Sequence, residues 1–139
     1  MKITRVYRFA ASHRLHSPKL SEGENQSLYG KCNHPYGHGH DYVLHVTLAG
    51  DPDSETGRLV NIGALDRYVE DRILRIYGHS DLNQDVDGFL GVPTTENLAL
   101  DGERRLRSAW PFPDVALEGI FIQETGRNSV ELRTANRRS

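Results

Sequence analysis

The run Cys32-Asn33-His34-Pro35-Tyr36-Gly37-His38-Gly39-His40 places one thiol beside several imidazoles, and Phe9-Ala10-Ala11-Ser12-His13 adds another imidazole upstream. His38 and His40 are two residues apart, so on an extended strand both side chains leave the same face. A third ligand from a neighbouring strand would complete a three-histidine set, and His13 is the best candidate. Three neutral imidazole nitrogens suit zinc (Zn2+) and leave a fourth position open for a substrate. Cys32 is the chain's only cysteine, close enough in sequence to serve at that position as a base or nucleophile. The competing readings are two exposed imidazoles on a turn, and a thiol that is either a small buried hydrophobe or the fourth ligand of a closed site. The pattern suits chemistry more than support. His45 has the opposite phase to His40, and nothing singles out His16 or His34.

Strands must carry these residues. Over residues 3–13, Ile3, Tyr7, Phe9, Ala11 and His13 share one face and Lys2, Thr4, Arg8 and Ser12 the other, so His13 lies on the apolar side. Residues 17–37, rich in Ser, Gly, Asn and Pro, read as a long excursion of the kind that carries function. Residues 40–49 alternate again, with His40 in phase with Tyr42, Leu44, Val46 and Leu48. Asp51-Pro52-Asp53 and Gly57 mark a turn, and Arg58 to Ile62 could extend the strand pairing.

Leu65, Tyr68, Val69, Ile73 and Ile76 form one stripe of a helix over about residues 63–76, with Asn61 as cap and Gly78 as terminator. Pro93-Thr94-Thr95-Glu96 opens a second helix, whose buried side is Leu98, Leu106, Ala109 and Trp110. Gly102 in its middle costs about 1 kcal/mol against Ala and suggests close packing. The Arg104, Arg105, Arg107 cluster reads as a solvated face. Residues 115–124 and 129–135 form a closing hairpin around Gly126-Arg127-Asn128. The class is α+β: a four-stranded, mainly antiparallel sheet with two helices. Its uncovered face and edges call for self-association.

The 139 residues fit one domain, 1–139. A net charge of −2 offers no nucleic-acid or membrane surface. A lone cysteine, no apolar leader core after Met1 and no membrane-length apolar run make a cytoplasmic, reduced setting the expectation.

Taken together, Phe9-x-Ala11-x-His13-Arg14-Leu15, Cys32-Asn33-x-Pro35-x-Gly37-His38-Gly39-His40-x-Tyr42, Pro93-Thr94-x-Glu96-Asn97 and Glu124-Thr125 resemble the 6-pyruvoyl-tetrahydropterin synthase family over essentially the whole chain. The resemblance implies a tunnelling fold in the order ββααββ, closed into a barrel of three subunits, with two trimers stacked as a hexamer and active sites at subunit boundaries. It also implies a substrate, 7,8-dihydroneopterin triphosphate, converted to 6-pyruvoyl-tetrahydropterin with loss of triphosphate. His13, His38 and His40 would hold zinc, which binds the side-chain hydroxyls and acidifies neighbouring carbon protons. Cys32, its pKa lowered by nearby cationic charge, would take a proton. Glu124 matches the position that anchors the pterin through paired hydrogen bonds. Glu96 lies in a matched motif and doubles as a helix-start acid.

The family also contains the 6-carboxy-tetrahydropterin synthases of queuosine biosynthesis. Those typically have a shorter gap between the cysteine and the His-x-His pair than the five residues here. One position departs from the pyruvoyl enzymes: their Asp-His pair after the first helix reads Gly78-His79. His79 therefore lacks its orienting carboxylate, and Asp81 is the nearest acid able to replace it. Without a replacement, the same residues describe a zinc- and pterin-binding domain that does not turn over.

Overall fold

A computed structural model of the chain describes residues 1–133. Strand β1 (Lys2–His13) pairs antiparallel with β2 (His38–Ala49) along its full length, from Lys2 opposite Ala49 to His13 opposite His38. This register follows from the two alternating patterns. It brings Tyr7, Phe9, Ala11 and His13 to the same side as Tyr42, Leu44, Val46 and Leu48, all of them buried. Strand β4 (Ala116–Thr125) pairs with β2, and β5 (Asn128–Arg133) with β4, both antiparallel.

Between β1 and β2 lie helix α1 (Glu22–Tyr29) and a 3-10 turn (Gly30–Asn33). After β2, α2 (Ile62–Val69) continues through a π-helical turn (Glu70–Leu74) into α3 (Arg75–Tyr77), and α4 (Thr95–Arg107) follows. Leu65, Val69 and Ile73 meet Leu98 and Leu106 in one core with the inner side of the sheet. Phe9 stacks on Tyr42 at 5.1 Å between ring centroids. No helix among the described residues is long and apolar enough to cross a membrane.

The α+β class holds, but the sheet has five strands, in the order β3-β1-β2-β4-β5, and is mixed. The added strand, β3 (Ser80–Asp81), runs parallel to β1. Two residues are too few to show alternation, so local pattern could not reveal it. Helix α1 is also additional to the expected two. Its start carries a legible signal, the reciprocal bonding of Ser21 and Glu24, but only Asn25 of its residues is buried, so no apolar stripe announces it. Residues 58–62 form no strand; Val60 is buried in the core and Asn61 caps α2.

Helix α4 starts at the expected Thr94 cap and ends at Arg107, short of Trp110. Trp110 instead packs edge-on against Tyr68 and Phe112 and donates to the Val115 carbonyl. The last strand is described to Arg133; residues 134 and 135 of its expected span lie outside the described residues.

Candidate metal and substrate site

The C-terminal end of β1 and the start of β2 meet beside the end of β4. There, one ligand atom each from His13, Cys32, His40 and Glu124 lies within 4.8 Å of the other three. Each arrives by a different local device. His13 follows the inward phase of β1 and is 1% exposed. Its Nδ1 lies 2.9 Å from the Pro93 carbonyl, which can only accept, so Nδ1 carries the proton and Nε2 keeps its lone pair. The loop offering that carbonyl is itself held, because Asn97 Nδ2 donates to the Val92 carbonyl.

His40 follows the inward phase of β2, with its Nε2 3.7 Å from Glu124 Oε1. Glu124 is oriented by the Thr95 hydroxyl, which donates to its other oxygen at 2.6 Å. Cys32 sits on the 3-10 turn, and the turn is tied to β1 because Leu15 N–H donates to the Cys32 carbonyl at 2.7 Å.

Gly37 lets the chain return to β2 so close to β1. Its φ is +78°, and a Cβ would stand 2.8 Å from the His13 carbonyl oxygen. A side chain there would push the His38-Gly39-His40 segment off its partner strand.

Two atoms show what the cluster is suited to hold. His13 Nε2 and His40 Nε2 are both buried and have no hydrogen-bond partner. Leaving such groups unsatisfied is costly. A cation fits both, and the surrounding donor set of imidazole, thiol and carboxylate is one that binds zinc. Burial lowers the His13 pKa, which keeps the ring neutral and able to ligate. Burial, with Glu124 next, pushes the Cys32 thiol up. Among the described residues, therefore, no cationic side chain offsets this rise, and a bound cation would supply the charge expected beside Cys32.

His38 lies beside this cluster rather than within it. Its ring stands 6.3 Å from that of His40, nearly parallel to it, and 6.3 Å from that of His34. Glu96 is exposed in the first turn of α4 and is not one of the four groups of the cluster. His79 is exposed, with φ +56°, held by its backbone N–H on the Ala10 carbonyl. Asp81 does not bond to it; Oδ1 of Asp81 accepts from the Asn83 backbone N–H. A cavity of about 540 Å³ nonetheless brings His40, His79 and Asp81 to one space. A Cβ at Gly78 would stand 2.5 Å from the Leu74 carbonyl oxygen, so this backbone does not admit a carboxylate there.

Sequence reasoning did not single out Thr95 as the group that orients Glu124, nor the Pro93 carbonyl that sets the His13 tautomer. The Pro93-Thr94-Thr95 signal marks where they lie, but only as a helix start.

The chain matches the 6-pyruvoyl tetrahydropterin synthase family over residues 2–135. It is 45% identical over 132 residues to a 6-pyruvoyl tetrahydrobiopterin synthase of Poecilia reticulata, covering 94% of this chain and 88% of the relative. The corresponding protein of Drosophila melanogaster is 40% identical over 132 residues, covering 94% and 78%. The solved 6-pyruvoyl tetrahydropterin synthase of Caenorhabditis elegans superposes with a TM-score of 0.89 at 36% identity, covering 96% of this chain and 94% of that one.

Proposed function

The chain belongs to the 6-pyruvoyl tetrahydropterin synthase family, an enzyme family, and from that premise we propose that it converts 7,8-dihydroneopterin triphosphate to 6-pyruvoyl-tetrahydropterin with elimination of triphosphate. The observation that carries the reading is the pair of buried, unpartnered imidazole nitrogens facing a thiol and an oriented carboxylate. His13 and His40 would hold zinc, with His38 as third ligand from the same face of β2. When bound, the ion supplies Lewis-acid polarisation of the substrate's side-chain hydroxyls.

The chain's own groups do the rest. Cys32 is the base, positioned by the tie between its carbonyl and Leu15, and takes a proton from the substrate side chain. Glu124, held by Thr95, accepts the ring's amino and N–H groups and fixes the pterin's angle. Buried Tyr42 contributes a wall: its hydroxyl lies 3.3 Å from His13 Nδ1. His79 is the second proton carrier, with Asp81 in the same cavity as its orienting acid. Glu96, exposed in the first turn of α4, contributes to pterin binding in this reading.

Association completes the site in this reading. In a single chain the outer face of the sheet carries Val6, 44% exposed, and the edges β3 and β5 have no outer partner among the described residues. Three copies closing a barrel, and two such trimers stacked, would cover both. The setting proposed is the cytoplasm.

The experiment is to incubate metal-loaded protein with 7,8-dihydroneopterin triphosphate and identify the products by mass spectrometry. The pyruvoyl product with free triphosphate supports the proposal. A carboxy product with acetaldehyde transfers the chain to the 6-carboxy-tetrahydropterin synthases. Binding without turnover makes it a non-catalytic pterin domain, the reading favoured by Gly78 and by the lack, among the described residues, of any bond to the His79 ring.

A further inference from the structure

We propose that the cavity walled by His34 and His38 is a polyphosphate site, whose two cations, Arg14 and Lys31, hold the substrate's triphosphate and stabilise it as it leaves. The inference rests on the reaction proposed above. The cavity measures about 480 Å³, and its walls include Arg14, Lys31, His34 and His38, with Glu22 as the single carboxylate. Its two full cations outnumber its one carboxylate, in a chain whose net charge is −2.

Arg14 is built into place. Asn83 grips its backbone from both sides, accepting from Arg14 N–H at 2.7 Å and donating to its carbonyl at 2.8 Å. Its Nε donates to the Asn33 carbonyl at 3.0 Å. Asn33, 6% exposed, is fixed in turn through its amide to the Leu15 carbonyl at 2.8 Å. The Arg14 Nη atoms and the Lys31 ammonium make no hydrogen bond or ion pair among the described residues. Tyr36 N–H donates to His34 Nδ1 at 3.2 Å, which leaves the neutral ring's Nε2–H as a further donor. A guanidinium already oriented, with its terminal donors unspent, suits phosphate oxygens and loses little freedom on binding them.

Position ties this cavity to the reaction. His38 is the wall it shares with the cluster of His13 and His40. In the substrate, the triphosphate is carried on the carbon next to the hydroxyls that the cluster would hold, so a substrate seated there can extend its triphosphate past His38 into this cavity. As the base removes a proton, the C–H electron pair becomes part of a C=C bond. The C–O pair departs with the phosphate oxygen, and the charge that grows there falls on Arg14 and Lys31.

The test is calorimetric titration of the metal-loaded full chain with inorganic triphosphate, with metal content measured before and after. Arg14→Gln and Lys31→Gln should each weaken binding by about tenfold or more and flatten its salt dependence. Zinc content and affinity for unphosphorylated dihydroneopterin should stay unchanged. Lys31 makes no side-chain hydrogen bond or ion pair among the described residues, so its variant remains informative even if Arg14→Gln disturbs the turn. Wild-type triphosphate affinity in Lys31→Gln, or equal loss of the unphosphorylated pterin in both variants, overturns the proposal. Tight triphosphate binding lost in both variants supports the site even in a protein that fails to turn over substrate, so the two readings fail separately.

Discussion

Two buried polar clusters in this chain look alike by composition and differ in how far they are satisfied. Near the middle of α4, Asp101 is 5% exposed. It accepts from the Tyr77 hydroxyl, from Arg104, and from Arg105 Nε at 2.6 Å. The same two arginines reach on to the Gly88 and Asp87 carbonyls at 3.1 and 2.6 Å, pinning the loop before α4. Thus Arg104 and Arg105, expected on a solvated helix face, act as fasteners. In the His13–His40 cluster, by contrast, two buried nitrogens have no hydrogen-bond partner. A closed network of this kind holds structure together; an open one is a place for something not made of protein. Burial and charge alone would not have told them apart.

The largest effect should come from opening the closed network. Asp101→Ala strands Arg105 and the Tyr77 hydroxyl, and removing one partner of a buried ionic network typically costs about 3–5 kcal/mol. Chemical denaturation should show the loss; a midpoint equal to wild type would mean that the network is ornamental.

Next is the open cluster. Cys32→Ala should leave stability and zinc content near wild type while lowering turnover by about 100-fold or more, the low end for a positioned base. Loss of zinc together with the thiol would instead make Cys32 a ligand and the site a closed one.

A smaller effect, of opposite sign, tests the packing around the closed network. A Cβ at Gly102 would meet Ile73, Ile120 and the Tyr77 hydroxyl at 3.8 Å, ordinary contact distance. The close packing expected there does not exclude a methyl group. Gly102→Ala should therefore stabilise by up to about 1 kcal/mol through helix propensity, and a drop in thermal midpoint would show that the three neighbours cannot yield.

The smallest effect belongs to a third, exposed network, where Asp66 accepts from Arg5 and from the Tyr7 hydroxyl. The bond from Arg5 holds the Asp66 carboxyl below its usual range. A depressed carboxylate contributes stability above its unfolded pKa of about 3.9 and loses it as pH falls through the lower folded value. Solvent screens this pair, whose side chains are 46% and 37% exposed. The melting temperatures of wild type and Asp66→Asn should differ slightly at neutral pH and converge in strong acid. A gap that persists in acid would point to packing instead of charge.

Much of this molecule was legible in residue order. Alternation set the inward phase of His13 and His40, and the same alternation made the β1–β2 register the one that buries both apolar sets. The stripe at Leu65, Val69 and Ile73 and the Thr94 cap located two helices, because periodicity and capping act over a few residues. Arg104 and Arg105 were misread because their partner, Asp101, is recognisable as buried only once α4 has been packed against α3.

By itself, the sequence determined the strands that carry the histidines, the class of fold, the family, and the candidacy of Cys32 and Glu124. Tertiary structure alone decided that Glu124 meets His40 from the far end of the chain, that Pro93 sets the His13 tautomer, and that Arg14 and Lys31 line one cavity. It also added β3, whose pairing with β1 joins residues nearly seventy positions apart. The physical reason is range. Phase and capping are written in neighbouring residues, whereas a hydrogen bond between distant segments exists only after the core has brought them together.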